Sequence, residues 1–332
     1  MRIAYIICPG AVMLGNSNGI RAQALKWAEV LRTHGNDVTL IDSWGDYRWT
    51  DFDVIHVFGG FSDLCWYLDL RRRNPNLCFS PIWDSNKSVR LLRLLRKISF
   101  PGVHHPIVQY VNCLQAFKGV FVRSSYESSI FREAFDVPAG QLHLVPLGYE
   151  VDPGARMNED REDVCFHVST LYQPRKNVLR LVEAAKRYGF RLVLAGCHGT
   201  DDEFAPIAAS VAGAPNVEVR GFLPSEEVVR QYRKSRVFAL PSLEEGVGLV
   251  ALNAAVLGAN VVITNRGGPK DYFGKWGRPV DPLSVDAIGQ SVVAAMQDRS
   301  SQPALRNYLI ANYSPDAIAA KLTSAYEKVV EA

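Results

Sequence analysis

Short apolar runs rich in β-branched residues recur along the chain, and between them apolar residues return at the 3.6-residue spacing of a helix. The runs RIAYIIC, DVTLID, DVIHVFG, GVFVRS, LHLVPLG, VCFHVST, RLVLAG, VEVRGF, VFALPS and NVVITN read as strands. Segments such as IRAQALKWAEVLRTHG and VLRLVEAAKRYG read as helices stopped by glycine. Strand and helix in alternation predict parallel sheets covered on both faces, an α/β doubly wound architecture. The pattern runs twice. Residues 149–163, YEVDPGARMNEDRED, are polar, contain Pro-Gly and lack periodicity, so they read as a linker. The expected organisation is a first domain over 1–150, a linker over 151–163, a second domain over 164–313 and a C-terminal helix over 314–332. That helix has packing back on the first domain as one arrangement open to it. Two such domains are expected to face a central cleft, because open α/β sheets bind ligands at their strand C-termini.

The bulk numbers agree with this picture and remove several alternatives. A length of 332 residues suits two domains, and 48% hydrophobic with 21% charged residues is ordinary globular composition. The formal charge is only +3, with the small excess inside residues 1–150, so no nucleic-acid footprint is present. No apolar run reaches the roughly 18 residues that span a bilayer. The start, MRIAYIICPG, is a strand ending in Pro-Gly rather than a signal peptide, so a cytoplasmic location is expected. The six cysteines form no C-x-x-C pair and read as reduced, mostly buried thiols, with neither a disulfide frame nor a zinc site.

The most informative stretch is SLEEGVGLVALNAAVLGANVV, Ser242 to Val262. Val237–Leu240 reads as a strand and Val247–Leu257 as a helix closed by Gly258, which makes Ser242–Gly248 a strand-to-helix turn. Amides at a helix start are unpaired and carry the positive end of the dipole, so an anion fits there. Gly246 and Gly248 let backbone approach it closely. Glu244 and Glu245 alone could be ordinary acids at a helix start.

The wider context decides between these readings. LPSLEEGVGLVALNAAVLGANVVITNRGGPKDYF resembles the signature of retaining GT-B glycosyltransferases of family 4 (group 1). RGFLPSEEVVRQYRKSRVFALPS, CFHVSTLYQPRKNVLRLVEAA, GNSNGIRAQALKWAEVLRTHGNDVTLI and SSYESSIFREAFDVPAGQLHLVPLGYE are similar to further segments of that family, so the likeness covers nearly the whole chain. It implies a GT-B fold of two Rossmann-like domains and a metal-independent transfer of sugar from a nucleotide-sugar, a UDP- or GDP-sugar, with no other cofactor. Lys176, assisted by Arg175, would neutralise the diphosphate, and Gly246, Val247, Gly248 and Leu249 would complete the phosphate cradle. Glu245 would accept hydroxyls of the transferred sugar. Asn18 and Gly19 occupy the glycine-pair position that approaches the donor from the first domain. The implied acceptor is a glycan or lipid-linked glycan in surface polysaccharide or lipopolysaccharide assembly. A nucleotide-sugar-binding protein without turnover and a GT-B epimerase are the rival readings.

Four positions depart from the family pattern. The second glutamate of the signature is Asn253, which can accept through its carbonyl oxygen but without charge. The arginine expected after Ser169 is Thr170, and Arg175 is the candidate substitute. The glutamate after Gly267-Gly268 is Asp271. Where a histidine commonly precedes an aspartate, the chain has Trp83 before Asp84, so the acceptor side differs. Asp84 remains a candidate catalytic residue there, and Trp83 is either a sugar-stacking or a structural ring.

Other features carry less. Asp51-Phe52-Asp53 spells a D-x-D but precedes its strand instead of ending one. His56 and His143 alternate with strand residues and read as structural. SVRLLRLLRKISF, residues 88–100, sets Arg90, Arg93 and Lys97 on one helical stripe and Leu91, Leu95 and Ile98 on another. It is either an ordinary surface helix or a patch for an anionic membrane at the inner face of the plasma membrane.

Overall fold

The structure, a computed structural model, describes residues 1–13, 19–42, 44–59, 67–83, 87–100, 103–104, 106–155 and 160–332. The chain divides into two compact units, Met1–Leu147 together with Pro315–Ala332, and Gly148–Ser314. Among the described residues, each unit is built on a six-stranded parallel sheet.

In the first unit the strands are β1 (Arg2–Ile7), β2 (Asp37–Leu40), β3 (Val54–Phe58) and β4 (Leu77–Ser80). A two-stranded antiparallel pair follows, β5 (Ser99–Phe100) and β6 (Val103–His104), then β7 (Gly119–Val122) and β8 (Leu142–Leu144). The sheet order is β2-β1-β3-β4-β7-β8, with Ile3 beside Val38 on one side and Val54 on the other. Helix Gly19–Thr33 buries Ala24, Trp27, Ala28 and Leu31, the spacing that its sequence announces. On the sheet lies a core that includes Ile55, Val57, Phe79, Val120, Phe131 and Phe135.

Helix Pro315–Glu331 belongs to this unit and buries Ile318, Leu322, Tyr326 and Val329. Its Tyr326 hydroxyl lies 2.9 Å from the Tyr5 hydroxyl and 2.6 Å from His56 Nδ1, while His56 Nε2 lies 2.9 Å from Ser80 Oγ. Complete burial holds the His56 pKa well below its ordinary value, so the ring is neutral and serves as a hydrogen-bonding strut.

The second unit carries β9 (Glu162–Val168), β10 (Arg191–Ala195), β11 (Val217–Gly221), β12 (Ser235–Leu240), β13 (Asn260–Thr264) and β14 (Arg278–Val280). Their order is β11-β10-β9-β12-β13-β14, with Phe166 of β9 beside Phe238 of β12. From β9 the chain winds outward to β11, then returns to the other side of β9 at β12. The two connections that leave β9 and β12 therefore diverge and open a crevice at their carboxyl ends.

All ten strands read from the sequence are present. The missed ones are β4, β14 and the β5–β6 pair; β14 contains a proline, and β5 and β6 are two residues each. Strand β9 begins at Glu162, inside the segment expected as linker. Backbone groups of residues 150–154 are held by polar side chains: Asn253 Oδ1 accepts the Glu150 N–H (2.8 Å), Arg233 donates to Asp152 O (2.9 Å) and Arg306 donates to Gly154 O (2.7 Å). Such anchoring leaves no apolar pattern to read. Cys8, Cys78, Cys113 and Cys165 are buried free thiols and Cys197 is an exposed one; Cys65 lies outside the described residues.

Candidate functional site

The turns that leave β9 and β12 bring together most of the second unit's candidate residues. After β12 the chain runs from Pro241 to Gly248 and enters helix Leu249–Val256, two residues later than the spacing suggested. Gly248 sets that start, because it is left-handed (φ 80°, ψ 49°) and a Cβ there would stand 2.9 Å from Ile263 Cδ1. Having no side chain, it caps nothing. Ala251 and Leu252 donate back to Gly248 O, and among the described residues no acceptor meets the N–H of Leu249 or Val250. The positive end of this helix is open to an anion.

Glu245 lies three residues ahead of Gly248, and its backbone is clasped from β13. Its carbonyl accepts the Gly268 N–H at 3.1 Å, and it forms an isolated parallel bridge with Gly267. Gly267 has φ 93°, and a Cβ on it would sit 1.9 Å from Glu245 O, so only glycine fits. The Glu245 carboxylate accepts from Ser242 Oγ at 2.8 Å and from Lys176 Nζ at 2.6 Å, with Arg175 at 3.6 Å. Side-chain exposure is 14% for Lys176 and 9% for Glu245, so water screens this pair little.

Lys176 ends the 3₁₀ turn Pro174–Lys176, after which Asn177 is left-handed (φ 59°). Asn177 Nδ2 donates to Pro241 O (2.8 Å) and Pro282 O (2.6 Å), and Arg175 O accepts the Leu243 N–H (2.8 Å). These bonds fix the lysine turn to the glutamate turn. Beneath them, buried His167 places Nδ1 2.8 Å from Ala239 O and Nε2 2.7 Å from Ser169 Oγ. A carbonyl only accepts, so Nδ1 carries the proton and Nε2 accepts from the serine. Burial lowers the His167 pKa to about 4. Sequence reasoning passed over Asn177, Ser242 and His167, although the first two lie within the quoted K-N and P-S segments.

The departures from the family pattern have physical consequences. The Asn253 carbonyl oxygen, considered as an acceptor for ligand hydroxyls, is engaged by the Glu150 N–H. Thr170 brings no charge, and Arg175 is instead held at Glu244 O (3.1 Å) beside Glu245.

In the first unit, Gly19 opens helix Gly19–Thr33, whereas Asn18 and Asp84 lie outside the described residues. Trp83 packs edge-on against Phe135, with ring centroids 5.1 Å apart, and its backbone N–H donates to Glu127 Oε1 at 2.6 Å. Glu127 also pairs with Arg123 at 3.0 Å, both side chains being buried. Of the D-x-D acids, Asp53 accepts the Arg2 N–H at 2.7 Å. Among the described residues no group of three His, Cys, Asp or Glu is placed to hold a metal ion, and no helix is long and apolar enough to cross a membrane.

The basic helix spans Val89–Arg96. Its buried leucine is Leu92, while Leu91, Leu94 and Ile98 are 41%, 60% and 38% exposed. This replaces the stripe expected from Leu91, Leu95 and Ile98, because Leu92 and half-buried Leu95 face the core. Arg93 is turned to Glu133 O at 2.6 Å.

Residues 155–312 match the family model described as Glycosyl transferases group 1. The O-antigen chain mannosyltransferase B of Escherichia coli is 30% identical over 208 residues, 56% of this chain and 54% of that one. A GDP-mannose-dependent alpha-(1-6)-phosphatidylinositol monomannoside mannosyltransferase of Mycobacterium tuberculosis (strain CDC 1551 / Oshkosh) is 30% identical over 230 residues, 60% and 59% of the two chains. The chain thus spans little more than half the length of these curated relatives. Among solved structures, a glycosyltransferase from Rickettsia africae ESF-5 superposes with a TM-score of 0.77 over 99% of both chains at 15% identity. A sucrose-phosphate synthase from Thermosynechococcus elongatus does so with 0.74 over 100% of both at 18%. At such identities the likeness shows the fold, GT-B. The turns of Lys176 and Glu245 lie inside the residues that match the group 1 glycosyltransferase model.

Proposed function

We propose that this chain is a retaining glycosyltransferase that moves a sugar from a UDP- or GDP-sugar to a glycan or lipid-linked glycan of the cell surface. The observation that carries the reading is the Lys176–Glu245 pair set just before a helix start whose first amides have no acceptor among the described residues. A diphosphate needs a cation and bare amides, and a sugar needs a fixed hydroxyl acceptor. In the proposed reaction the bond between the anomeric carbon and the diphosphate oxygen breaks. The acceptor oxygen bonds to that carbon on the same face, and its proton passes to the departing phosphate oxygen. Lys176 and the amides of Leu249 and Val250 stabilise the charge that develops on the leaving group, while Glu245 orients the sugar. GDP-mannose is the first donor to try, given the names of the mannosyltransferase relatives.

The membrane enters this reading through helix Val89–Arg96, whose exposed leucines lie beside Arg90 and Lys97. Apolar side chains flanked by cations suit an anionic lipid surface.

The test is product formation from a panel of UDP-, GDP- and ADP-sugars with glycan and lipid-linked acceptors, using wild type and Lys176→Ala. Transfer that requires Lys176 supports the reading, and transfer indifferent to that lysine overturns the site. The engaged Asn253 oxygen favours one rival, a nucleotide-sugar-binding protein without turnover. Tight binding without product across the panel would select it, and conversion of the donor sugar without acceptor would select an epimerase.

A further inference from the structure

Between β2 and β3 the first unit carries an aromatic-basic run, Tyr47-Arg48-Trp49, and the helix before β4 ends in Arg71-Arg72-Arg73. The reaction proposed for Lys176 and Glu245 uses neither. The fold brings them together: Asp46 to Trp49 and Arg72 to Arg73 line one groove of about 700 Å³. Small-ligand sites occupy roughly 300–1,000 Å³.

The walls of the groove are tied to each other. Buried Asn74 donates through Nδ2 to Trp49 O at 3.0 Å and to Phe52 O at 2.7 Å, and its Oδ1 accepts the Asn76 N–H at 3.0 Å. One side chain thus joins the aromatic turn to the end of the arginine helix. Trp49 packs on the core along its inner side, and its ring centroid lies 5.7 Å from that of Tyr47. The Tyr47 hydroxyl accepts the Asp42 N–H at 3.0 Å, which fixes the ring.

Three arginines line the groove against one aspartate. Cations at a helix C-terminus often serve only the dipole. Arg71 is engaged elsewhere, donating to Gln115 O at 2.9 Å. Arg72 has an exposed pair with Asp69 at 3.3 Å, a class of interaction that contributes little. Among the described residues the guanidinium groups of Arg48 and Arg73 have no hydrogen-bond or ion-pair partner. A guanidinium fork matches carboxylate or phosphate, and the faces of Trp and Tyr offer broad apolar area with a polar edge.

The groove has a definite place on its own sheet. The turn at Trp49 leads directly into β3 and the arginine helix leads into β4, so the groove lies at the amino ends of parallel strands. Open α/β sheets place their reaction sites at the carboxyl ends.

We propose that Tyr47, Arg48, Trp49, Arg72 and Arg73 form a binding site for an acidic saccharide, a sugar unit bearing a carboxylate or phosphate group. The acid pairs with Arg48 and Arg73, the ring lies against the aromatic wall, and Asp46 at the rim accepts hydroxyls. This site stands independently of the reaction assigned to the second unit.

The experiment is calorimetric titration of the full chain with tetragalacturonate, mannotetraose and inorganic phosphate, each at low and high salt. Tetragalacturonate is expected to bind, and more weakly at high salt. Mannotetraose and the Arg48→Gln/Arg73→Gln variant should each reduce affinity at least tenfold. Both substitutions are on exposed side chains, so the variant should keep the wild-type melting temperature. No binding of tetragalacturonate to the wild type, or unchanged binding to the variant, overturns the proposal. So does phosphate that binds as tightly as the saccharide and competes with it, since the groove would then recognise a bare anion.

Discussion

Lys176 and Glu245, 69 residues apart in the chain, meet at 2.6 Å with both side chains largely withdrawn from water. The acid and the base assigned to two halves of one ligand are each other's partners. Ligand binding must therefore exchange or share this contact, and that gives the two substitutions opposite signatures.

Lys176→Ala should lower turnover by more than tenfold, since about 1.4 kcal/mol of lost charge stabilisation gives that factor. Glu245→Gln removes the charge that neutralises Lys176. It should leave nucleoside diphosphate affinity unchanged or tighter while sugar transfer falls. Steady-state kinetics beside calorimetric titration of the nucleotide separates the two, and a loss of affinity larger than the loss of turnover would misplace Glu245 on the ligand.

Gly267 presses on the Glu245 carbonyl so closely that a methyl group has no room. Gly267→Ala should destabilise the second unit by about 1–3 kcal/mol or more, from backbone strain with the clash added, and should depress transfer. Gly213 is similarly left-handed (φ 76°) but has no atom within 4 Å of the added carbon, so Gly213→Ala is the control for strain alone. Equal melting temperatures for the two variants would contradict the clasp.

His167 predicts a pH dependence. Its folded pKa, about 4, lies below the ordinary value near 6.5, so the unfolded chain binds the extra proton first. The stability contributed by the neutral ring is complete above pH ~6.5 and is lost as pH falls toward about 4, on the order of 3 kcal/mol over the full window. Buried His56 acts in the same direction. The carboxylates with lowered pKa, Glu218, Asp286 and Asp298, lose their contribution only below the ordinary carboxylate range. Denaturant melts between pH 7 and 5 therefore report the histidines, and His167→Gln should flatten that slope.

In the first unit, Glu127→Ala leaves the buried Arg123 guanidinium without its acid and removes the acceptor of the Trp83 backbone N–H. The expected loss is about 3–5 kcal/mol, partly restored in an Arg123→Met/Glu127→Leu double variant that removes both charges. Thermal melts of wild type and the two variants check the order.

Helix Val89–Arg96 gives a binding prediction. Wild type should float with anionic liposomes, and Leu94→Gln combined with Arg90→Glu and Lys97→Glu should stay in the soluble fraction. Flotation of both to the same extent would assign Leu91 and Leu94 another partner.

Ten strands were legible because each is an apolar run bounded by glycine, proline or polar residues, a property of local sequence. The Glu245–Gly248 turn was legible from its glycines and from resemblance. The contact of Lys176 with Glu245 was not, because it exists only since β9 and β12 are neighbours, and strand order leaves no local trace. Asn177 was missed for a related reason: its two acceptors, Pro241 and Pro282, lie 64 and 105 residues away. His167 resembles any polar residue alternating along a strand, and only burial distinguishes it.

The bridging hydroxyl of Tyr326 has a genetic consequence. One folding body is encoded in two pieces with the other inserted between them, so a stop codon after Ser314 would spare every residue of the inserted body. The damage would fall in the other body, where Tyr5 and His56 would lose their common partner and their sheet would be left unsealed.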